Sequence, residues 1–485
     1  MTNALMIQGT ASGVGKSLLV AGLCRLLARS GIQIAPFKPQ NMSNASAACP
    51  SGGEIGRAQA LQAFACGLEP TVDMNPVLLK PEGDRRAQLV VSGQVRGTLM
   101  ANRFREDREG LLDEVLAAFG RLGQEYEFVL IEGAGSPAEP NLREGDIANM
   151  GFAQPANVPV WLIGDIDRGG VFASLLGTMD ALDEPDRRLV EALVVNRFRG
   201  DPSLLGDACE WLEKRVQRPL LGFVPYIFDL ALPEEDAPYS FQEGRGRRQE
   251  EVHSDELRVG GIHYPRASNT ADLDPFAADP RVDFCWLADP DLLTGLDLVV
   301  LPGSKSVAAD LSWLRQHGWV EALERHVRYG GRVLGVCGGL QMLGERILDP
   351  LGIEGPAETQ GLGWLPVEAE LKEEKLVRAV SGQARWPVKL DFSGYEIRHG
   401  ESSPDPTLYP FVARSADGRV MGTYVHGLFD QAEYRHAVLK EWLGWKAAPG
   451  EDLHDRWQRD LNRLADALRD NLDLSLLEER VGQLT

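Results

Sequence analysis

Apolar and polar residues alternate along the first half of the chain in blocks that predict strands and helices in turn. Short, almost wholly apolar runs at residues 128–131, 158–163 and 193–195 are typical of strands buried on both faces. An amphipathic stretch nearer the start of the chain ends at Gly31 and has apolar side chains at helical spacing: Leu19, Val20, Leu23, Leu26 and Leu27. This order predicts an α/β domain built on a parallel sheet.

A change of composition divides the chain near its middle. Residues 233–256 are polar and charged and carry no apolar period, which predicts a solvated linker. A second α/β series follows, with predicted strands at 257–262, 298–301 and 332–336. One face of a further predicted helix is apolar, and we expect it to pack on this second domain: Leu453, Trp457, Leu461, Leu464 and Leu468. The predicted domains are therefore 1–232 and 257–485.

Composition and charge narrow the class of protein. Of the 485 residues, 44% are hydrophobic and 25% are charged, as in a globular protein with ample core for two domains. The net charge of −21 argues against nucleic acid as a partner, because phosphate contacts need a basic face. The six cysteines lack paired spacing, and no stretch is long and apolar enough to span a bilayer. We therefore expect a cytoplasmic protein that binds neither nucleic acid nor membrane.

A glycine-rich loop, GTASGVGKS at residues 9–17, follows the first predicted strand. Its first glycine lies one residue further from Gly-Lys-Ser than in the common phosphate loop, but the loop still joins a strand to a helix. In that setting four backbone amides would surround phosphate groups at a helix N-terminus, those of Gly13, Val14, Gly15 and Lys16. The Lys16 side chain would also neutralise phosphate oxygens, and Ser17 would hold Mg2+. The sequence thus predicts a site for ATP.

Three polar side chains follow strands of the predicted parallel sheet. The carboxyl ends of these strands lie at one edge of the sheet. Glu132 ends the strand at 128–131 and is placed to hold Mg2+; an exposed acid that begins a loop is the alternative. Lys38 follows the second strand and would stabilise charge on a transferring group, unless it is an ordinary surface lysine. Asn196 ends a further strand, where it would contact the adenine edge or cap a loop. Lys38 and Asn196 complete the predicted ATP site.

The phosphate loop, Lys38 and the Glu-Gly-Ala-Gly sequence at 132–135 resemble dethiobiotin synthetase and its relatives. That resemblance implies a P-loop NTPase fold with a parallel sheet for the first domain. It also implies an enzyme that makes an acyl phosphate from ATP with Mg2+, rather than one that uses the nucleotide as a switch.

A second candidate site lies in the C-terminal half, where GVCGG at residues 335–339 follows a predicted strand. This spacing is a thiol version of the nucleophile elbow, because small neighbours permit the strained turn. We expect Cys337 to attack and His426 to act as general base. The expected oxyanion hole consists of backbone amides: Gly338, with Gly303 or Ser304. A buried cysteine without chemistry is the alternative.

This half resembles the class I, triad-type glutamine amidotransferases, which implies their α/β fold and the release of ammonia from glutamine. It departs from them in one place. Most of those enzymes carry glutamate two residues after the histidine, and here that position is Leu428. The cobyrinic/cobyric acid branch of that family lacks this glutamate too, so the departure narrows the family. The residue that orients His426 stays open among three acids: Glu396, Glu401 and Asp430.

Further segments resemble the cobyric acid synthase family over almost the whole chain. They are APFKPQNMSN at 35–44, GRAQ at 56–59, MNPVLLKP at 74–81, EGAGSPAE at 132–139 and DIDRGGVF at 165–172. The resemblance implies amidation of the b, d, e and g carboxylates of adenosylcobyrinic acid a,c-diamide in cobalamin biosynthesis, with ATP and glutamine consumed each time. We expect an open cleft for this substrate, with four contacts: Asn41, Arg57, Gln59 and Arg168. Structural roles for the two arginines are the alternative.

Three other functions remain open at this point. The a,c-diamide synthase acts earlier on the same macrocycle, but the Gln40-Asn41-Met42 and DIDRGG segments favour the later enzyme. A muropeptide-type amidotransferase usually carries its two domains on separate chains. A nucleotide-switch ATPase with an inactive glutaminase-like domain would not need an intact Cys337 and His426.

Overall fold

The computed structural model describes residues 2–83, 86–100, 110–233 and 256–484. The chain divides into two compact units. Unit 1 comprises Met1–Ser43, Cys49–Ala237 and Trp457–Thr485, and unit 2 comprises Asn44–Ala48 and Pro238–Arg456. The predicted linker, residues 233–256, lies outside the described residues except for its two end positions.

Strands and helices alternate in the first half of the chain, as the sequence predicts. The strands are β1 (Ala4–Gly9), β2 (Ile34–Phe37), β3 (Gln40–Met42), β4 (Ser46–Ala48), β5 (Glu54–Gly56), β6 (Val77–Gly83), β7 (Arg86–Val91), β8 (Gln94–Met100), β9 (Phe128–Glu132), β10 (Val160–Asp165), β11 (Val190–Phe198) and β12 (Leu220–Pro225). The helices are α1 (Lys16–Arg29), α2 (Arg57–Cys66), α3 (Leu111–Glu125), α4 (Pro140–Arg143), α5 (Met150–Ala156), α6 (Val171–Ala181), α7 (Glu184–Leu189) and α8 (Gly206–Val216).

Unit 1 centres on a six-stranded parallel sheet in the order β12-β11-β10-β1-β9-β2. The central strand β1 is buried along its whole length, because helices cover both faces of such a sheet. An aromatic cluster of Phe37, Phe119 and Phe152, with ring centroids 5.3–5.6 Å apart, packs in the core. The predicted parallel α/β fold is confirmed. A smaller sheet, β3-β6-β7-β8, belongs to the same unit.

The second half of the chain forms a second α/β unit and two C-terminal helices. Its strands are β13 (Leu257–Ile262), β14 (Ala267–Ser268), β15 (Val282–Leu287), β16 (Leu298–Leu301), β17 (Gly303–Ser304), β18 (Arg332–Val336), β19 (Arg346–Leu348), β20 (Glu358–Gln360), β21 (Glu368–Gln383), β22 (Asp391–Glu401), β23 (Phe411–Arg414) and β24 (Val420–Thr423). Its helices are α9 (Asp274–Ala277), α10 (Val307–Gln316), α11 (Trp319–Arg328), α12 (Gly338–Leu343), α13 (Ala432–Leu443), α14 (Leu453–Asn471) and α15 (Ser475–Val481).

The main sheet of unit 2 has the order β15-β13-β16-β18-β24-β23. Its strands are parallel except β23, which runs antiparallel to β24. A second sheet, β20-β19-β21-β22, contains the long antiparallel pair β21 and β22. The predicted second α/β fold is thus confirmed. None of the helices in the described ranges has the length and apolar character that a membrane span requires.

The C-terminal helices lie in a different unit from the one that the sequence predicts. Trp457–Thr485 belong to unit 1, whereas the predicted second domain runs over 257–485. The apolar face of α14 explains the difference, because it packs closely on α1. The two helices lie so close together that a methyl group added at Gly22 of α1 would be 2.6 Å from Leu468 Cδ1 and 2.7 Å from Leu464 Cγ. The amphipathic pattern predicts that this face is buried but not which partner buries it.

A short segment of the first half of the chain also departs from the predicted boundary. Asn44–Ala48 belong to unit 2, although the predicted first domain runs over 1–232. Ser46 N donates to Asn269 Oδ1 at 3.1 Å, and Tyr395 Oη donates to Ser46 O at 3.4 Å. These hydrogen bonds hold the segment in unit 2.

We expect Leu468→Ala to lower the free energy of unfolding by about 2–5 kcal/mol, because it leaves a cavity where Leu468 is fully buried. Leu204→Ala is the matched control in the same unit. Leu204 is 82% exposed, so its loss should change stability by less than about 0.5 kcal/mol. Urea unfolding measures both values. Amide hydrogen exchange should rise in α1 but not in β16 and β18, and a rise confined to unit 2 would contradict the packing of α14 on α1.

Candidate active sites

The glycines of the phosphate loop allow a tight path between β1 and α1. Gly13 and Gly15 adopt φ values of 69° and 92°, in the left-handed region that favours glycine. A methyl group on Gly9 would lie 2.6 Å from Val14 Cγ2, so this position has no room for a side chain. The path places the loop at the N-terminus of α1, which is the arrangement that binds phosphate groups in many proteins.

Two side chains bind the backbone of the loop. Lys16 Nζ donates to the carbonyl oxygens of Ala11 and Gly135, at 3.0 Å each. Asn196 Nδ2 donates to Val14 O at 2.8 Å in buried surroundings. This second bond has the geometry of a loop cap, the alternative role for Asn196. Its contact with adenine stays a prediction.

Glu132 accepts hydrogen bonds from four side chains at the edge of the sheet. Its Oε1 is 2.7 Å from Ser17 Oγ and 2.8 Å from Lys38 Nζ. Its Oε2 is 2.6 Å from Gln62 Nε2 and 3.4 Å from Gln59 Nε2. Burial would raise the pKa of Glu132, but the Lys38 charge and the bonds from Gln62 and Ser17 outweigh it and lower the pKa. Glu132 is therefore an ionised carboxylate with both oxygens engaged.

Sequence reasoning missed Gln62, although its position relative to Gln59 could have indicated it. Gln59 and Gln62 are three residues apart on α2, so both side chains face the same side of the helix. Gln59 Oε1 also accepts from Asn41 Nδ2 at 2.9 Å. Two expected substrate contacts, Asn41 and Gln59, therefore form a hydrogen-bonded chain that ends at Glu132. Their role toward a substrate stays a prediction.

The two arginines expected to contact substrate lie in different surroundings. The Arg57 guanidinium lies over the ring of Trp457, 5.2 Å from its centroid, in a cation–π contact, and its role toward a substrate stays a prediction. The Arg168 side chain is 74% exposed, and its Nη2 would lie 3.7 Å from a methyl group on Gly13. Arg168 is thus beside the phosphate loop.

Cys337 occupies a strained turn between β18 and α12. Its backbone angles, φ 51° and ψ −106°, lie outside the regions that residues with a side chain normally adopt. The neighbouring glycines permit the turn. A methyl group on Gly335 would lie 2.6 Å from Gly339 C, and one on Gly339 would overlap Leu301 O. This is the geometry of a nucleophile elbow.

His426 is held by a buried carboxylate. Its Nδ1 is 2.7 Å from Asp272 Oδ2, and the neighbouring Gly427 N donates to Asp272 Oδ1 at 2.8 Å. The ring of Tyr395 stacks on the imidazole, with centroids 5.2 Å apart. One carboxylate thus fixes both the imidazole and the backbone that follows it.

The environment of His426 favours its protonated form. Burial alone would lower the pKa of His426, but the Asp272 charge and the Cys337 side chain outweigh burial and raise the pKa to about 10. The other ring nitrogen, Nε2, is buried and has no hydrogen-bond partner within the described part of the chain. That nitrogen is therefore the one available to exchange a proton with a reacting group.

The sequence left the partner of the histidine open among three acids: Glu396, Glu401 and Asp430. The structure places Asp272 there instead. Glu396 pairs with Arg398 at 3.1 Å, and Glu401 is exposed. Asp272 is hard to find because it lies 154 residues before the histidine, in the short turn Thr270–Leu273. The sequence could still have indicated Asp272, because its turn follows β13. The carboxyl ends of β13 and β18 lie at the same edge of the sheet.

The expected oxyanion residues lie together beside the elbow. A methyl group on Gly338 would lie 2.7 Å from Ser304 N, and Gly303 pairs with Ser268 in the β14–β17 ladder. Ser304 Oγ donates to Asp310 Oδ2 at 2.6 Å. Burial raises the pKa of Asp310 to about 6, against the opposing effect of the bond from Ser304. Asp310, which sequence reasoning missed, thus holds the loop that carries these amides.

Two solved structures are similar to parts of the chain. The crystal structure of a glutamine amidotransferase is 16% identical and covers 38% of this chain and 98% of its own, with a TM-score of 0.29. The MinD cell division protein of Aquifex aeolicus is 15% identical and covers 47% of this chain and 84% of its own, also with a TM-score of 0.29. Similarities this weak carry no argument about function.

Family models and a curated relative cover the chain more fully. The CobQ/CobB/MinD/ParA nucleotide binding domain matches residues 5–239, and the CobB/CobQ-like glutamine amidotransferase domain matches residues 258–434. A protein named cobyric acid synthase, from Halorhodospira halophila (strain DSM 244 / SL1), is 57% identical over 469 residues, which cover 97% of this chain and 96% of the relative. Identity at this level over almost the whole length shows that the chain belongs to the cobyric acid synthase family.

Proposed function

We propose that the chain amidates the b, d, e and g carboxylates of adenosylcobyrinic acid a,c-diamide, with ATP and glutamine, in cobalamin biosynthesis. The observation that carries the proposal is that each unit holds its own organised site. These are the Glu132 network at the phosphate loop and the Asp272–His426 pair near the Cys337 elbow. A ligase that takes its nitrogen from glutamine needs both sites, whereas a nucleotide switch needs only the first.

The first half of the proposed reaction activates a carboxylate, which is a poor electrophile. A carboxylate oxygen attacks the γ-phosphorus of ATP, the bond to the β,γ-bridging oxygen breaks, and ADP leaves with that electron pair. Ammonia then attacks the carbonyl carbon of the acyl phosphate, phosphate leaves, and the nitrogen gives up a proton. In this proposal Lys16 neutralises phosphate oxygens, while Glu132 keeps Lys38 and Ser17 in place.

The donors at the phosphate loop suit Mg2+, which we propose as the metal. Ser17 Oγ and Glu132 Oε1 are oxygen ligands 2.7 Å apart, and Mg2+ prefers one or two such ligands together with phosphates and water. No cluster of three or more His, Cys, Asp or Glu side chains in the described ranges could hold a metal, so a cage made of protein alone is not expected there. When bound, Mg2+ would spread the negative charge of the phosphates.

The second half of the proposed reaction releases ammonia. Cys337 Sγ attacks the side-chain amide carbon of glutamine, and the thiol proton passes to His426. Because its pKa is raised, the imidazole already holds this proton before the sulfur attacks, and it delivers the proton to the departing ammonia. Asp272 stabilises the imidazolium and fixes its tautomer through Nδ1. The amides of the elbow and of the neighbouring loop would bind the oxyanion, and water then releases glutamate from the thioester.

The proposed corrinoid substrate presents several similar carboxylates in turn, which favours an open cleft over a closed pocket. We propose four residues as its contacts, because amide and guanidinium groups pair with carboxylates: Asn41, Arg57, Gln59 and Arg168. We also propose a cytoplasmic location, because none of the six cysteines, all of which lie in the described ranges, forms a disulfide.

Mass spectrometry of adenosylcobyrinic acid a,c-diamide, incubated with the protein, MgATP and glutamine, tests the proposal. We expect up to four successive products. Each should be lighter than the one before it, because an amino group has replaced a hydroxyl group. An unchanged corrinoid with continued ATP hydrolysis would contradict the proposed substrate. Cobyrinic acid would then be tested, as the substrate of the a,c-diamide synthase.

Removal of the thiol should separate the two halves of the reaction. We expect Cys337→Ser to lower the glutamine-dependent rate by about 10³-fold or more, because the nucleophile is lost. The rate with ammonium salts should be retained, because the phosphate loop is unchanged. Cys285→Ser, at another cysteine of unit 2 that forms no disulfide, should preserve both rates. Equal losses with glutamine and with ammonium would argue that Cys337 has a structural role alone.

Removal of the Asp272 charge should impair the histidine. We expect Asp272→Asn to lower the glutaminase kcat by about 10²–10⁴-fold, because the imidazolium loses its counter-charge and its fixed tautomer. The pKa of His426 should also fall from about 10, since Asp272 is the main group that raises it. Ammonia release and an NMR titration of the imidazole measure these two effects.

Glu401→Gln is the matched control for that experiment, because Glu401 is an exposed acid of the same unit. It should leave both the glutaminase rate and the imidazole titration unchanged. A full rate in Asp272→Asn, or a loss confined to Glu401→Gln, would reject Asp272 as the residue that orients His426.

A further inference from the structure

A buried carboxylate joins two arginines beside the phosphate loop. Asp165 ends β10, and its side chain is 4% exposed. Its Oδ2 is 3.0 Å from Arg197 Nη1 and 3.8 Å from Arg168 Nε. Its Oδ1 accepts a hydrogen bond from Asp167 N at 2.9 Å, which fixes the carboxylate. One acid therefore positions two guanidinium groups.

Both guanidinium groups reach the loop glycines. A methyl group on Gly13 would lie 3.7 Å from Arg168 Nη2, and one on Gly15 would lie 3.9 Å from Arg197 Nε. These glycines belong to the turn whose amides are expected to bind phosphate, so the arginines border that space. A guanidinium has five N–H donors in a planar fork, so the contact with Asp165 leaves each arginine able to bind an anion as well.

The exposure of Arg168 and the backbone conformation of Arg197 favour roles beyond packing. Arg168 is 74% exposed and contributes little to the core. Arg197 adopts φ 60°, a left-handed conformation that is costly for a residue with a side chain. Backbone strain of this kind persists mainly where the surrounding structure holds it for a function.

A buried carboxylate balances one of the two lysines of the site. Lys38 Nζ is 2.8 Å from Glu132 Oε1, and both side chains are buried, so the carboxylate largely balances the lysine charge. Lys16 is the other cation of the loop. Negative charge spreads over the γ-phosphate oxygens as the bond to the bridging oxygen breaks, and it has to be met by donors near the loop.

We propose that Arg168 and Arg197 bind the γ-phosphate oxygens of ATP and stabilise them during transfer, with Asp165 as the positioning residue for both. The carboxylate oxygen forms its bond to phosphorus as the bond to the bridging oxygen breaks, and ADP leaves with the electron pair. The two guanidinium groups gain no proton and lose none; they contribute charge and hydrogen bonds. This inference rests on the function proposed above, and it assigns Arg168 to the transferred phosphoryl rather than to the corrinoid contact given there.

The test compares the binding of MgADP with that of Mg β,γ-imido-ATP, which keeps the γ-phosphate and is not hydrolysed. We expect Arg168→Ala and Arg197→Ala each to weaken the imido analogue relative to ADP by about tenfold or more, because a charge-assisted hydrogen bond is lost. Titration calorimetry gives both dissociation constants. Arg168 is exposed, so its variant should fold even if Arg197→Ala does not.

Arg199→Ala is the matched control. Arg199 lies just after β11, but it pairs with Asp167 at 2.9 Å and lies over the Tyr226 ring, 3.8 Å from its centroid. The ratio of the two dissociation constants should match that of the wild type. The ammonia-dependent kcat should also be preserved in this variant, whereas it should fall by about 10²–10³-fold in Arg168→Ala.

One result would overturn the inference: an unchanged ratio of the two dissociation constants in Arg168→Ala, whether both affinities fall equally or neither falls. If the wild-type protein binds neither nucleotide, the proposed function itself fails, and this inference fails with it. Nucleotide binding by the wild type therefore separates the two kinds of failure.

Discussion

Parallel strands bring their carboxyl ends to one edge of a sheet, and both candidate sites depend on this constraint. In unit 1 four neighbouring strands, β11, β10, β1 and β9, lead into Asn196, Asp165, the phosphate loop and Glu132. In unit 2 four neighbouring strands, β13, β16, β18 and β24, lead into Asp272, Ser304, Cys337 and His426. Residues far apart in sequence therefore meet because of strand order, before any side chain contributes a specific contact.

Each site is organised by one buried carboxylate, and its partners determine what it can do. Glu132 accepts from four side chains, so both oxygens are engaged and it acts as a fixed organiser rather than as a base. Asp272 accepts from the imidazole and from Gly427 N, so its charge acts chiefly on His426 and raises the pKa of that residue. A buried carboxylate that loses such partners costs several kcal/mol, which is why neither acid is free to move.

Sequence reasoning selected candidate residues from short motifs. The phosphate loop and the elbow at Cys337 each combine a reactive side chain with glycines at fixed spacing. A side chain would collide at Gly9, Gly15, Gly335 and Gly339, and Gly13 adopts a positive φ. Three residues were missed because each contacts a residue far away in the sequence: Asp272, Gln62 and Arg197. Strand order in a parallel sheet could have suggested some of them, but it is hard to derive from one sequence.

The net charge of −21 makes anion binding a property of local groups rather than of the whole chain. The field of distant acids is largely screened beyond a Debye length of about 8 Å at physiological ionic strength, so cations at the sheet edge decide the outcome. Glu132 largely balances Lys38 there, whereas Asp165 engages part of each neighbouring guanidinium. A lysine ammonium is a point charge, but the planar guanidinium of an arginine can bind a carboxylate and a phosphate at the same time. Arginine therefore suits a site in which a substrate carboxylate attacks the γ-phosphate.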